Sequence, residues 1–303
     1  MFSRRHPFLF SILVFSGIVS VTIIVLGLVI TLGFGKLNNF GELRASGKEK
    51  VGVVELTGVI TDSRKTTAHL KQFREDKTIK AIVLRINSPG GSVGPAQEIY
   101  REIIKTKQKK KMVASMGALA ASGGYYVAAG ADKIMANPGT ITGSIGVIMG
   151  YTNFEQLLEK IGLVPVVVKS GQYKDIGSPA RTMSLEEKQL LQQVTDGIHR
   201  QFISDVAEGR GLAIDKVEKV ADGRIFTGEA AVNMGLVDRL GNMDDAVQWA
   251  GRLAGVEGEV KAVYARDKAF SLLKYFSETT LKILMEKTLF KQLYAGYLYL
   301  PAE

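Results

Sequence analysis

Hydrophobic and polar residues alternate along most of this chain with two different periods. Short runs rich in valine and isoleucine end in turn residues and predict strands, and they alternate with segments whose apolar positions recur at helical spacing. The predicted strands cover residues 51–60, 80–91, 111–117, parts of 133–148, and 164–171. The predicted helices cover residues 66–79, 93–107, 120–131, 153–161 and 184–208. Strands that alternate with helices imply right-handed crossovers and therefore an α/β domain.

The two ends of the chain depart from this pattern. Residues 7–35 carry no charged side chain, and roughly 20 apolar residues suffice to span a membrane. Because this run is longer than the apolar region of a cleaved signal peptide and no A-x-A-like site follows it, we expect an uncleaved anchor. Residues 270–300 mix aromatic and aliphatic residues with Lys and Glu, which predicts one or two amphipathic helices on a partner subunit or on the membrane.

These features divide the chain into parts with different roles. Arg4 and Arg5 precede the apolar run, whereas the positive residues behind it are more spread out. The positive-inside rule therefore places the N-terminus in the cytoplasm and the bulk of the protein outside the cytoplasmic membrane. The expected parts are a cytoplasmic N-terminus (1–6), a transmembrane anchor (7–35), a linker (36–50), an α/β domain (51–265) and an amphipathic tail (266–303).

Composition and charge narrow the possible chemistry. The chain has no cysteine, which excludes disulfides, thiolate metal sites and a cysteine nucleophile. The formal net charge is +9, but the positive residues are dispersed. Their densest cluster, 105–111, fits a helix end, where lysine complements the helix dipole. No nucleic-acid-binding motif accompanies the charge, so we expect no nucleic-acid partner, and an anionic membrane surface explains the charge at least as well.

The stretch GALAASGGYYVAAG (117–130) surrounds one serine, Ser122, with small residues. This serine is either a nucleophile or a residue at a tightly packed helix, and a nucleophile needs a base. His69 and His199 lie on predicted helices away from any glycine turn, which disfavours a Ser-His-Asp triad. The stretch also lacks the G-x-S-x-G pattern, because alanine occupies position 120.

Lysine is the alternative base, since desolvation can lower its pKa toward neutrality. The segment VVVKSGQYKDIGSP (166–179) offers Lys169 and Lys174. No metal site is indicated, because the histidines are isolated and no acidic cluster has ligand spacing. The glycines of NSPGGSVG (87–94) follow a predicted strand, but they form neither G-x-G-x-x-G nor G-K-[ST], so we expect no nucleotide and no other cofactor.

Three motifs in this order resemble those of one family. INSPGGSV (86–93), AASGGYYVAAGADKIMANPGTITGSIGVI (120–148) and KSGQYKDIGSPAR (169–181) are similar to motifs of the signal peptide peptidase family of serine–lysine proteases. The similarity covers essentially residues 50–255 and fits the short form with one N-terminal anchor. It implies the crotonase/Clp-like ββα superhelix and a membrane-anchored serine endopeptidase. The implied substrates are remnant signal peptides and other short or unfolded peptides.

The resemblance also implies roles for particular residues. Ser122 is the expected nucleophile, Lys174 the general base, and Ser144 the residue that hydrogen-bonds the lysine and orients it. The expected oxyanion site is the backbone N–H of Gly91 together with that of Ser122, with Gly90 as the alternative to Gly91. In this family the serine and the lysine meet across a subunit boundary, which implies a ring-like homo-oligomer with shared active sites.

Physical arguments accompany these assignments and leave some alternatives open. Glycine lets a backbone amide approach a developing oxyanion closely. Because Asp175 would raise the pKa of Lys174 by pairing with it, we expect its carboxylate to point away. An extended substrate could pair with a strand edge near 88–93. Ser144 could instead be a simple turn residue. The other functions considered are a crotonase-like acyl-CoA enzyme and a non-catalytic membrane quality-control scaffold.

Overall fold

A computed structural model describes residues 50–266 without a gap, the backbone of Ala295–Leu298, and parts of the N-terminal segment (6, 8, 10, 15–22, 24 and 25). The chain divides into two compact units, Met1–Lys48 and Glu49–Glu303. Residues 15–22 of the first unit are helical. Most of the predicted anchor, 7–35, lies outside the described residues. Among those described, no helix is both long enough and apolar enough to cross a membrane.

The second unit is built on a mainly parallel β-sheet. Its strands, in chain order, are β1 (Lys50–Thr57), β2 (Ile79–Ser88), β3 (Gly90–Ser92), β4 (Lys111–Ala121), β5 (Lys133–Ala136), β6 (Ile141–Gly143), β7 (Ile148–Met149), β8 (Ile225–Thr227), β9 (Arg239–Leu240), β10 (Lys261–Tyr264) and β11 (Ala295–Leu298). The main sheet has the order β10-β1-β2-β4-β5-β9. The C-terminal part of β4 also pairs with β6, and β6 in turn pairs with β8. A smaller antiparallel sheet has the order β3-β11-β7.

Helices cover both faces of the main sheet. They are α1 (Arg64–Glu75), α2 (Val93–Lys107), α3 (Gly123–Ala129), α4 (Glu155–Lys160), α5 (Leu185–Arg210), α6 (Ile214–Glu218), α7 (Gly228–Asn233) and α8 (Met243–Leu253). Helix α8 packs on one face, and helices α1, α2, α3 and α5 pack on the other. Because successive strand residues point to opposite faces, β1 contributes Val51 and Val53 to the α8 side and Val54 and Leu56 to the other. Burial on both faces explains the continuous apolar runs of the strands.

The predicted α/β class is confirmed, and several predicted elements have the expected positions. Helix α2 has the predicted bounds, 93–107, and α5 extends two residues beyond the predicted 184–208. Helix α3 begins later than predicted, because Ala120 and Ala121 pair with Thr142 and Gly143 and so belong to β4. The pairing with β6 therefore outweighs the helix propensity of alanine at these two positions.

The predicted strand at 164–171 is wrong. This segment has no regular secondary structure, and Val164, Val166 and Val168 are 83%, 85% and 98% exposed. A β-strand needs a neighbouring strand to satisfy its N–H and C=O groups, and no strand of the described residues pairs with this segment. The segment has the apolar pattern of a strand, but among the described residues it has no neighbouring strand to pair with.

The predicted C-terminal amphipathic helices fall mostly on residues 267–294 and 299–303, outside the described residues. Within the described part, Ala295–Leu298 form strand β11, so the helix prediction is wrong there. The strand pairs antiparallel with β3 on one side and with β7 on the other. The unpaired N–H and C=O groups of these two strand edges explain why an extended segment is accepted at this place.

Candidate active site

Ser122 lies at the junction between β4 and α3. Its N–H donates to the carbonyl of Gly143 at 2.8 Å, which adds one more bond to the β4–β6 ladder. Its own carbonyl accepts the N–H of Tyr126 at 2.9 Å and so begins the first turn of α3. Between these two bonds the backbone must reverse direction, and Ser122 takes φ 54° and ψ −119°. The serine is thus held at a sharp strand-to-helix turn.

This backbone conformation is uncommon for a residue with a side chain. In the part of the chain that the structure describes, Ser122 and Ser144 are the only non-glycine residues with positive φ, at 54° and 50°. Such conformations cost about 1–3 kcal/mol each and cluster at active sites. The two strained residues are the same two serines that the motifs assign to catalysis.

The hydrogen bond between Ser122 and Gly143 also explains why these serines are neighbours. Gly143 is the last residue of β6, and Ser144 follows it directly. Ser144 donates its N–H to the carbonyl of Arg224 at 2.8 Å, which secures the turn against the segment before β8. The ends of β4 and β6 therefore present Ser122 and Ser144 side by side. Both are largely buried, at 1% and 8% exposure.

The small residues around Ser122 have a packing role. A Cβ on Gly124 would lie 2.8 Å from the carbonyl oxygen of Ser88, so α3 sits directly against the turn between β2 and β3. Tyr125 and Tyr126 are fully buried, as expected for core residues. The Tyr126 hydroxyl donates to the carboxylate of Asp205 on α5. Close packing and this hydrogen bond hold the helix that begins at the serine.

The glycine turn between β2 and β3 directs its two amides differently. The N–H of Gly90 donates to Oγ of Ser88 at 3.1 Å. Ile60 donates its N–H to the Gly90 carbonyl at 2.8 Å and accepts the Ser92 N–H at 2.7 Å. Since N–H and C=O directions alternate along an extended strand, those of Gly91 point away from Ile60. A Cβ on Gly91 would lie 2.2 Å from the Ile60 carbonyl oxygen, so only glycine fits there.

This geometry distinguishes the amides considered for the oxyanion site. Gly90 and Ser122 already donate their N–H groups to Ser88 and Gly143, which leaves Gly91 as the amide directed away from Ile60, toward the strand edge that β11 occupies. The expected contribution of the Ser122 N–H is therefore not supported. The next amide along the chain is that of Gly123, at the first position of α3, where no helical carbonyl can accept it. Gly123 directly follows Ser122 in the sequence, and this position is the signal that could have identified its amide as a candidate for the oxyanion site.

The edge of β3 that points away from Ile60 pairs with strand β11. In the antiparallel pairing, Tyr297 lies opposite Gly91, and Gly296 lies opposite both Ser92 of β3 and Ile148 of β7. An extended segment thus runs between two strand edges, next to the turn that packs on α3. The strand edge near 88–93, at which we expect an extended substrate to pair, is occupied here by a segment of the chain itself.

Lys174 is not joined to the serines within one chain. Its side chain is exposed, and its Nζ makes no hydrogen bond or ion pair inside residues 50–266. Oγ of Ser122 likewise has no hydrogen-bond partner among these residues, so neither a lysine nor a histidine is positioned as its base within one chain. The described residues also hold no group of three or more His, Asp or Glu side chains arranged to bind a metal.

The two candidate lysines differ in their partners. Lys169 donates Nζ to Oδ1 of Asp175 at 2.6 Å and to the carbonyl of Gln172 at 2.8 Å. Arg181 donates Nε to the other oxygen of Asp175 at 2.8 Å. These hydrogen bonds, from Arg181 first and then Lys169, lower the pKa of the Asp175 carboxyl. Asp175 therefore points away from Lys174, as expected, and Lys169 is the lysine that binds it.

The turn at Ser122 has the geometry of a nucleophile elbow without its sequence pattern. In α/β-hydrolases the serine occupies a strained turn between a strand and a helix, usually within G-x-S-x-G. Here the same strand–serine–helix order and strained backbone occur with alanine at position 120, inside β4. The G-x-S-x-G pattern therefore does not detect this turn, which is formed here with Ala120 and Gly124 at the two glycine positions of the pattern.

Comparison with known proteins agrees with this geometry. Peptidase family S49 matches residues 104–257, slightly more than half of the chain, and Clp protease matches residues 50–141. A Synechocystis sp. protein with a provisional protease name is 50% identical over 210 residues, which are 69% of this chain and 76% of that protein.

Two further relatives are more distant. An Enterococcus faecium protein provisionally named signal peptide peptidase SppA is 39% identical over 213 residues, 66% of this chain and 62% of that protein. The Arabidopsis thaliana protein named Serine protease SPPA, chloroplastic, is 36% identical over 188 residues, 62% of this chain and 28% of that protein. The matched region thus spans only part of these two relatives.

The mixed α/β sheet and the strained serine at its edge, together with these matches, define a peptidase of the serine class with a Clp-like fold. The chain belongs to peptidase family S49. The resemblance seen in its three motifs is thereby confirmed, and the acyl-CoA enzyme and the non-catalytic scaffold are no longer needed as alternatives.

Proposed function

We propose that this chain is a membrane-anchored endopeptidase that degrades remnant signal peptides and other short or unfolded peptides by a Ser–Lys dyad. Ser122 Oγ attacks the peptide carbonyl, and neutral Lys174 takes the serine proton. The N–H of Gly91 donates to the oxyanion that forms. Lys174 then protonates the leaving amine, and water hydrolyses the acyl-enzyme. Ser144 orients the lysine amine.

The observation that carries this proposal is the pair of strained serines. Ser122 and Ser144 have positive φ, are largely buried, and are joined through the hydrogen bond from Ser122 to Gly143. Strain of this kind persists only when the surrounding structure imposes it, and packing alone has no need of it at two serines. It favours a catalytic function for both residues over the turn-residue alternative for Ser144.

The proposal also assigns Lys174 to a neighbouring copy in a ring-like homo-oligomer. Within one chain Lys174 is exposed and unpaired among the described residues. The segment before it exposes Val164, Val166 and Val168. Exposed apolar patches mark interaction sites, and this one also has unpaired backbone groups. A second copy that covers this segment would exclude water from the region around Lys174.

The strand edges and the N-terminal segment support the proposed substrate class. The position of β11 shows that an extended chain fits between β3 and β7. Short or unfolded peptides can add a strand in this way, whereas folded proteins cannot. The uncharged run 7–35 would keep the site at the membrane, where signal peptides remain after secretion. One relative carries a signal peptide peptidase name. We place the N-terminus in the cytoplasm and the peptidase domain outside it.

The first test replaces the dyad in the purified full-length protein. Ser122→Ala and Lys174→Ala should each abolish cleavage of a synthetic signal peptide and leave assembly unchanged. Ser204→Ala and Lys188→Ala, which remove exposed residues on α5, are the matched controls and should keep wild-type activity. Full activity in either dyad variant would overturn the assignment. A fluorophosphonate probe should label wild-type Ser122 and fail to label Ser122→Ala.

A mixing experiment tests whether the site is shared. Ser122→Ala and Lys174→Ala subunits are dissociated, mixed in equal amounts and reassembled. If each site takes its serine and lysine from different copies, about a quarter of the sites in a randomly mixed ring are complete and activity returns. If both groups come from one chain, every site lacks one of them and the mixture stays inactive, which would overturn the shared site but leave the dyad in place.

A further inference from the structure

One arginine joins the lysine-bearing segment, 169–181, to the start of α5. Arg181 donates Nε to Oδ2 of Asp175 at 2.8 Å and Nη2 to the Asp175 carbonyl at 3.3 Å. The same guanidinium donates Nη1 and Nη2 to the two carboxylate oxygens of Glu187 at 2.9 and 2.5 Å. Paired hydrogen bonds of this kind fix both distance and orientation. Arg181 thus connects the residue directly after Lys174 to a rigid helix.

The helix end of this connection is itself well anchored. Glu187 accepts the N–H of Ser184, and Ser184 Oγ accepts the N–H of Glu187, which together form a capping box at the start of α5. Glu187 is only 4% exposed. A buried carboxylate with these partners has little freedom to move. The position of Arg181 is therefore determined by α5.

The connection also controls which charges Lys174 meets. Besides Lys174, the charged groups of the described residues within this segment are Lys169, Asp175 and Arg181, and those bonded to it are Glu186 and Glu187 on α5. Glu155 on α4 binds Thr182, directly after the segment. Both oxygens of Asp175 are taken by Lys169 and Arg181. Both oxygens of Glu187 are taken by Arg181 and the cap. These two carboxylates are consequently not available to pair with Lys174.

We propose that Arg181 is a positioning residue for the peptidase reaction. By binding Asp175 and Glu187 together, it holds the turn that presents Lys174 and keeps the adjacent carboxylate away from the lysine amine. The inference rests on the proposed role of Lys174 as the base. Arg181 itself does not touch the substrate.

The test compares Arg181→Ala, Arg181→Lys and the double variant Arg181→Ala/Asp175→Asn in the full-length oligomer, with peptide cleavage followed across pH. Arg200→Ala, which removes an exposed arginine on α5, is the matched control. We expect Arg181→Ala to lower kcat about 10- to 100-fold with little change in KM, a loss at or below the lower end of the roughly 100- to 10,000-fold contribution of general-base catalysis, because the lysine itself is still present. The acid limb of the kcat/KM profile should move to higher pH, because freed Asp175 pairs with Lys174 and favours its charged form.

The other variants separate this effect from a loss of structure. The double variant should return the acid limb to its wild-type position, since the freed carboxylate is gone. Arg181→Lys should fold and recover only part of kcat, because an ammonium is a point charge that cannot bind both carboxylates in fixed geometry. An acid limb that stays in place in Arg181→Ala and Arg181→Lys would overturn the inference. So would a kcat loss that follows the loss of thermal stability.

Failure of this inference and failure of the proposed dyad give different results. If Lys174→Ala is inactive while Arg181→Ala behaves like Arg200→Ala, the dyad stands and only the positioning role is wrong. If Lys174→Ala keeps full activity, the dyad itself is wrong and a shift of the Arg181 variants would have another cause.

Discussion

At the scale of single residues, the backbone of Ser122 connects the fold to the chemistry. Its N–H completes the β4–β6 ladder and its carbonyl begins α3, so the surrounding structure imposes the positive φ. The same turn places Ser122 between β4 and α3, next to Ser144. The strain is thus maintained by packing and hydrogen bonds that lie on both sides of the residue.

Two separate variants, Ser122→Gly and Ser122→Ala, test this strain. Glycine adopts a φ of 54° easily, whereas alanine has a Cβ and pays the same steric cost as serine. We expect Ser122→Gly to be more stable than Ser122→Ala by about 1 kcal/mol, although both are inactive. Urea unfolding at one protein concentration measures the difference.

A control variant checks that the greater stability of glycine over alanine is specific to position 122. At an ordinary strand or helix position glycine is less stable than alanine by about 0.5–1 kcal/mol. Ala128 lies inside α3 and is fully buried, and Ala128→Gly should be less stable than the wild type. If Ser122→Gly is also less stable than Ser122→Ala, the backbone at Ser122 is not strained in solution.

At the scale of elements, the start of α5 links secondary structure to the lysine segment. The Arg181 guanidinium and then the Ser184 N–H bind the Glu187 carboxylate and lower its pKa from 4.5 to about 2. A folded-state pKa below the unfolded value contributes stability that is fully present above pH 4.5. That stability is lost as the pH falls toward 2. Asp175 acts in the same direction, because its pKa is lowered too.

Glu187→Gln should therefore change how stability depends on pH. The variant should be less stable than the wild type at pH 7, and the difference should shrink as the pH falls from 4.5 toward 2, where the wild-type carboxylate becomes protonated. Thermal unfolding at several pH values measures it. Glu218→Gln, at an exposed position on α6, is the control and should keep the wild-type pH dependence. A constant difference between Glu187→Gln and wild type would argue against the ionised form as the source of stability.

Strand β11 is the second feature at this scale. Because Tyr297 already pairs with Gly91, a peptide substrate must displace β11 before it can pair there. Tyr297→Pro, or removal of the residues after 266, should lower KM for a peptide about 3- to 10-fold with little change in kcat, since an internal competitor reduces apparent affinity. Proline removes the backbone N–H that this pairing uses. An unchanged KM in both variants would show that β11 does not compete with substrate.

At the scale of the whole molecule, the exposed segment before Lys174 predicts assembly. Val166 is 85% exposed in the single chain, and the shared site that we propose requires a neighbour at this place. Val166→Asp would put a charge into the interface, and an unpaired buried charge is costly enough to weaken association more than about 10-fold. Analytical ultracentrifugation should show smaller species, with loss of peptidase activity in proportion.

The matched control for assembly is Ile214→Asp. Ile214 is an apolar residue on α6, 55% exposed, and lies outside the segment that precedes Lys174. This variant should assemble and cleave like the wild type. If Val166→Asp also assembles normally, the exposed valines have another role, and the mixing experiment alone would then decide whether sites are shared.

The spacing of apolar residues and the three motifs were sufficient, by themselves, for the α/β class, the bounds of α2 and the family, and they directed attention to Ser122 and Ser144. These properties depend on short-range order along the chain. Long-range contacts decided the rest. The bond from Ser122 to Gly143 sets the end of β4, and the contact of Gly91 with Ile60 sets the direction of its amide. Whether segment 164–171 becomes a strand depends on a partner that no local pattern supplies.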